Sequence, residues 1–244
     1  MHRKGLIDIW HDRDISAGTE WEREIDQHFN EAQIILLLVS PDFMASDYCY
    51  GIEMKRALER HERGEAYVIP VILRPVYWKV GGLDRLQALP TNGKPILHRD
   101  WDNEDEAFLE IVHGICKVVD LLRADELKSL GNIYFSSEYY ESALEAYEQA
   151  IRLDSHDALV YYLKGFALLE LERDEEALAA VELAIQLNPN NANFHFIKSK
   201  ALFWLYRHDE ALAAIEQAIH LNPNNALFYY RKSSSQSSLL LMTG

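Results

Sequence analysis

Cysteine is scarce: the 244 residues hold two, Cys49 and Cys116, far apart and neither in a Cys-x-x-Cys pair, which argues against a disulfide framework or a zinc site. Long apolar runs are missing as well. The longest, Ile34 to Val39, falls far short of the roughly 20 residues a membrane-spanning helix needs. No charged stretch followed by an apolar one opens the chain, so the expected compartment is the cytoplasm, with no membrane partner. Positive charge is in deficit, with 24 Lys and Arg against 39 Asp and Glu. Residues 1–123 carry −7 and residues 124–244 carry −8, and neither half has a basic stripe. A phosphate backbone would be repelled, so nucleic acid is not an expected partner. The ten histidines show no ligand spacing, and no metal site is expected.

What is present suffices for two domains, each able to bury a core. The second half repeats itself. Ser142-Ala143-Leu144, Glu176-Ala177-Leu178 and Glu210-Ala211-Leu212 stand 34 residues apart, as do Ala150-Ile151-Arg152-Leu153-Asp154, Ala184-Ile185-Gln186-Leu187-Asn188 and Ala218-Ile219-His220-Leu221-Asn222. Two copies end in Asn-Pro-Asn-Asn, where proline stops one helix and asparagine can cap the next. Small residues fall where paired helices would cross: Gly131, Gly165 and Ser199, facing Ala143, Ala177 and Ala211.

This pattern of paired amphipathic helices resembles the tetratricopeptide (TPR) family. The resemblance covers residues 124–157, 158–191 and 192–225, with a terminal helix expected over 226–241, whose serines Ser233, Ser234, Ser235, Ser237 and Ser238 make one side polar. It implies an all-α solenoid over residues 123–241 that holds a protein or peptide on the concave face lined by the first helix of each unit. Lys128 and Asn132 match the first half of a carboxylate clamp found in some TPR proteins. Leu163, Asn193 and Ile197 stand where that clamp has its other donors, so a generic docking groove, or a Lys128–Asn132 pair that supports the fold, is the better reading.

The first half alternates short β-rich runs with helical patterns, the mark of an α/β parallel-sheet domain. Strands are expected at Leu6 to Trp10, Gln33 to Val39 (apolar enough for burial on both faces), Tyr67 to Leu73 and Lys94 to His98. Pro70 removes one ladder donor and argues for an edge or an irregularity. A capping box at Thr19-Glu20-Trp21-Glu22 opens a helix to about Glu31, and a second helix follows the loop Ser40 to Asp47, from Tyr48 to about Arg63. A third starts after Asn103 with the stripe Phe108, Ile111, Val112, Ile115, Val119 and Leu122, and runs almost directly into the first repeat helix.

Residues 5–120 resemble a bacterial TIR (Toll/interleukin-1 receptor) domain, carried by Leu6 to Ile15, the loop Ser16-Ala17-Gly18-Thr19-Glu20-Trp21, Val39-Ser40-Pro41-Asp42-Phe43, Ser46 to Met54, and Val68 to Val76. The resemblance implies a flavodoxin-like fold over residues 1–122. In this family a strand and a helix precede the region matched here, so the domain is expected to lack its first, central strand.

Many TIR domains cleave NAD⁺, and the resemblance places the catalytic glutamate at Glu53, with NAD⁺ as substrate and no separate cofactor. Nicotinamide leaves from a cationic ring and needs no proton, so one carboxylate beside an oxocarbenium-like ribose can serve. The family pattern is Trp-Cys-x-x-Glu; this chain reads Tyr48-Cys49-Tyr50-Gly51-Ile52-Glu53, one residue longer, so either Tyr48 or Tyr50 is the stacking partner. Asp14, Ser16, Gly18 and Trp21 belong to the loop that in the family gates the pocket and meets a neighbouring TIR domain. From the helix alone, Glu53 would be a surface residue paired with Arg56. Two readings remain: a bacterial signalling or defence protein that binds partners through its repeats and hydrolyses NAD⁺, or a non-enzymatic adaptor acting through TIR self-association and TPR binding.

Overall fold

The computed structural model describes residues 9–11, 14, 20–99, 101 and 103–243, with side chains for all of these except 21, 22 and 237–243. The chain divides into two compact units, Met1–Val118 and Val119–Gly244.

In the first unit α1 (Trp21–Glu31) leads into β1 (Ile34–Val39), a short α2 (Pro41–Ala45), a π turn (Cys49–Glu53) that continues as α3 (Met54–Glu62), and β2 (Tyr67–Ile72). The expected strand at Leu6 to Trp10 lies largely outside the described residues, and Ile9 and Trp10 are not in a strand. Among the described residues the sheet has two strands, β1 and β2, parallel and in register from Ile34 opposite Tyr67 to Val39 opposite Ile72. Ile35, Leu37, Val39, Val68 and Ile72 pack on Met54 and Ala57 of α3. On the other face Ile69 and Val71 pack on Ile96 and on Ala107 and Ile111 of α4 (Glu104–Ser136).

Burial of β1 on both faces is corrected. Leu36 and Leu38 are 42% and 53% exposed, because α4 covers the β2 side of that face. The fourth strand is corrected too: Lys94 to His98 is not a strand, and its described backbone bonds to the β2 segment are those of Ile96 and Leu97, which donate to Ile72 and Leu73 at 2.9 and 3.2 Å. The loop after Ser40 holds α2, whose first turn Ser40 caps by accepting from Phe43 N at 3.2 Å. The N-cap of α1 is Glu20, without a side-chain cap bond. Pro70 keeps its place because its nitrogen faces the side where β2 has a single bridge, Val71 to Leu89, in place of a strand.

Arg60 is the buried polar anchor of this unit, 7% exposed. Its Nη1 donates to the Phe29 carbonyl, one of the last four of α1 that no helical N–H reaches, and its Nη2 donates to the Glu65 carbonyl at 3.4 Å. Arg60→Leu keeps the apolar stem and removes the donors. We expect a loss of about 2–3 kcal/mol from the first unit's stability, read from chemical denaturation followed by the tryptophan signal.

The second unit takes the remainder of α4, then α5 (Tyr140–Leu153), α6 (Ala158–Glu170), α7 (Asp174–Leu187), α8 (Ala192–Trp204), α9 (His208–Leu221) and α10 (Ala226–Thr243). The sequence period becomes a period of contacts. Lys164, Lys198 and Lys232 each reach back to a glutamate of the preceding unit, Glu148, Glu182 and Glu216, at 2.8, 2.7 and 2.8 Å. Asp157, Asn191 and Asn225 accept from the N–H two residues on, at 2.8, 3.0 and 3.1 Å, starting each first helix. Gly131 has no room for a side chain, since a Cβ there would run into the Tyr147 ring. Ser199 fits the same place in the third unit, fully buried, with its hydroxyl donating to the Phe196 carbonyl at 2.8 Å. Ser235 corrects the polar-side expectation for the last helix: it is 1% exposed, on the face that packs inward.

Candidate functional site

In the first unit the region around Glu53 is built from the turn after α2. Cys49 N donates to Ser46 Oγ at 3.1 Å, and the carbonyls of Ser46 and Asp47 accept from Tyr50 and Gly51 at 3.0 Å each, starting a helix. The helix then widens. Tyr48 O accepts from Ile52 N at 2.9 Å and from Glu53 N at 3.0 Å, and Cys49 O accepts from Met54 N. This is a π turn, in which an additional residue is taken up without rotating the helix beyond it. Residues five apart across it stand as residues four apart do in an α-helix, so Tyr48 and Glu53 are stacked one turn from each other. Downstream the register holds, and Met54, Ala57 and Arg60 all point into the core.

A deletion separates this from an ordinary helix. Removing Gly51 lets the turn close as α-helix with the same downstream face, and the expected cost is under about 1 kcal/mol. Removing Lys55, beyond the π turn, rotates the rest of α3 by about 100° and is expected to unfold the unit. Thermal melts of the two deletions, compared with the parent, check this.

The site residues expected from sequence take different places. Tyr48, Tyr50 and Glu53 are half-buried. Tyr50 packs with the Met54 core, its hydroxyl against Gly81, where a Cβ would stand 2.7 Å away. The π turn therefore sets Tyr48 and Glu53 one turn apart along the helix, and Tyr50 packs with the core. Arg56, the cation expected to pair with Glu53, reaches across to Asp26 of α1 at 2.5 Å and lies 4.8 Å over the Phe29 ring. Asp14 is exposed and closes a short turn, accepting from His11 N at 3.1 Å. Ser16 and Gly18 lie outside the described residues, and Trp21 opens α1 with its side chain outside them.

In the second unit Lys128 and Asn132 are both engaged with neighbours. Lys128 Nζ lies 2.6 Å from Asp125 and 2.8 Å from Asp157. Burial would lower its pKa, but the two carboxylates outweigh it and hold the ammonium above its ordinary value. Asn132 Oδ1 accepts from the Tyr147 hydroxyl at 2.8 Å, and burial pushes that phenol up to about 12. The pair thus ties α4 to α5 and to the start of α6.

Two cations escaped the sequence reading. Lys200 of α8 lies 5.0 Å over the Phe166 ring, and Arg231 of α10 lies 4.2 Å over the Phe203 ring. A signal existed, because Arg231 occupies the repeat position held by Leu163 and Ile197 in the preceding units. A cation at an apolar position of a repeat is a departure to examine.

A family model described as a TIR domain matches residues 1–112, and models described as a TPR repeat and a tetratricopeptide repeat match residues 131–172 and 158–191. Among curated proteins, the uncharacterised protein y4lF of Sinorhizobium fredii is 53% identical over 115 residues, covering 47% of this chain and 35% of that protein. Human serine/threonine-protein phosphatase 5 is 42% identical over 52 residues, 21% of this chain and 10% of that protein. The chain thus spans about a third or less of the length of these relatives. Among solved structures, the first TPR domain of human RPAP3 matches 48% of this chain and 93% of its own at 24% identity, with a TM-score of 0.48.

Proposed function

We propose that this chain, which carries a TIR domain followed by TPR repeats, is a signalling adaptor of the cytoplasm: its repeats hold a segment of a partner protein, and its TIR domain associates with other TIR domains. The observation that carries the reading is a face shared by successive first helices, on which Phe135, Phe166, Lys200, Phe203 and Arg231 touch from helix to helix. Large, partly buried aromatic side chains at such a face give contact area at low entropic cost and are common anchors of protein interfaces. A library of random dodecapeptides displayed on phage, selected on the full chain, tests it. We expect a convergent family whose synthetic members bind saturably, with Kd of roughly micromolar order, and displace one another. Phe166→Ala and Phe203→Ala should each weaken them. Recovery of no convergent binder would count against the adaptor reading.

A second reading is favoured by the π turn, which supports pairing Tyr48 with Glu53 in the way the Trp-Cys-x-x-Glu pattern pairs its aromatic and its acid. On this reading Tyr48 stacks on the nicotinamide ring and Glu53 stabilises the ribose cation as nicotinamide departs with the bonding electrons; water then adds to the cation and loses a proton, giving ADP-ribose. The assay for released nicotinamide decides it.

A further inference from the structure

The charge along the shared face of the first helices is compensated unevenly. Lys128, at the α4 end, already holds two carboxylates. Lys200 has Glu170 at 3.8 Å, and Arg231 has no carboxylate partner among the described residues. Arg231 Nε and Nη2 are closed off from solvent, with no hydrogen-bond acceptor among the described residues. Burial lowers the pKa of Arg231, and for Lys200 burial acts first and the Arg231 charge adds to it, against Glu170. Two half-buried cations facing one carboxylate leave an excess of one positive charge, within a chain whose net charge is −15. Uncompensated charge out of water is costly, and an incoming anion relieves that cost.

The size of the excess selects the anion. A single carboxylate neutralises it, whereas a doubly charged phosphate would reverse it. The surroundings select what carries the carboxylate. Trp204, Leu227 and Tyr230, on the same helices α8 and α10, are 56%, 53% and 74% exposed, surface suited to apolar side chains rather than to a free ion.

Resting on the adaptor reading above, we propose that Lys200 and Arg231 seat an Asp or Glu side chain of an extended peptide segment whose flanking residues are apolar. Arg231, its guanidinium carbon 4.2 Å over the Phe203 ring and its Nε and Nη2 closed off, donates through Nη1, and Lys200 supplies the second charge-assisted bond. Lys128 has no part in this seat.

The phage selection tests it, with the peptides displayed through their C-termini so that no free terminal carboxylate is offered. Recovered peptides should share one Asp or Glu flanked by apolar residues. A synthetic member with an amidated C-terminus should lose affinity by roughly 10- to 100-fold against Lys200→Gln/Arg231→Gln. Changing its acid to the amide should cost a similar factor on the parent protein and little more on the double variant. Lys200→Arg and Arg231→Lys should retain binding, and Lys128→Ala should change it by less than about twofold. If the double variant melts early, the acid-to-amide peptide on the parent protein carries the test. Convergent peptides without an acidic position, or equal affinity for parent and double variant, would overturn the seat and leave the adaptor reading standing. A library that yields no convergent binder overturns both.

Discussion

Glu53→Gln is expected to reduce nicotinamide release from NAD⁺ by about 100- to 1000-fold, with little change in folding. The substitution keeps the shape and removes the charge. If the reaction draws on Glu53, the loss falls on the ribose cation, which a neutral amide stabilises poorly, and kcat drops more than KM rises. Its position at the end of a π turn makes the expectation specific, since the turn returns Glu53 to the side of Tyr48. Tyr48→Phe should keep most of the activity and Tyr48→Ala should lose it, as a stacking role requires. Tyr50→Phe should act through stability, because the Tyr50 hydroxyl packs against Gly81 in the core. Equal background release from the parent and from Glu53→Gln would remove the enzymatic reading and leave the adaptor.

Phe194→Ala is expected to cost the second unit about 3–5 kcal/mol, the largest stability effect we assign to one side chain. Phe194 is 2% exposed and belongs to the core shared by α6, α7, α8 and α9. It stacks on Tyr162 of the preceding unit with ring centroids 5.3 Å apart. Repeat stacks draw their stability from such junctions between neighbours, so a cavity here also uncouples the helices of repeat 158–191 from those of repeat 192–225. Guanidinium unfolding followed by circular dichroism should show a lower midpoint, and a shallower transition if the halves of the stack separate. Phe194→Leu, which refills most of the volume, should recover about half of the loss or more. A single transition with an unchanged midpoint would show that the junction carries less than this packing implies.

How much was legible follows the physics of each element. The 34-residue period fixed the repeat helices because the same residue recurs wherever the same contact recurs: Ala143, Ala177 and Ala211, all fully buried, mark the crossings. Asn103 announced the start of α4, and its Oδ1 accepts from Glu106 N at 3.1 Å. The strands were less legible. Gln33 to Val39 reads as a strand buried on both faces, yet the exposure of Leu36 and Leu38 depends on what lies over them, which a local pattern does not encode. Lys94 to His98 has strand composition and only two ladder bonds, because pairing is a property of the partner as much as of the segment.

The candidate sites divide the same way. Sequence by itself determined the types and order of the residues: two kinds of domain, an aromatic and an acid after the second described helix, and a run of helices presenting one face. Tertiary structure decided which residues are available. It placed the additional residue before Glu53 in a π turn, gave Tyr50 to the core, bound Lys128 and Asn132 to their neighbours, and left Lys200 and Arg231 with one carboxylate between them among the described residues. The reason is that charge compensation and burial are set by atoms brought together from distant positions, whereas helix propensity, capping and repeat spacing are written within a few residues of one another.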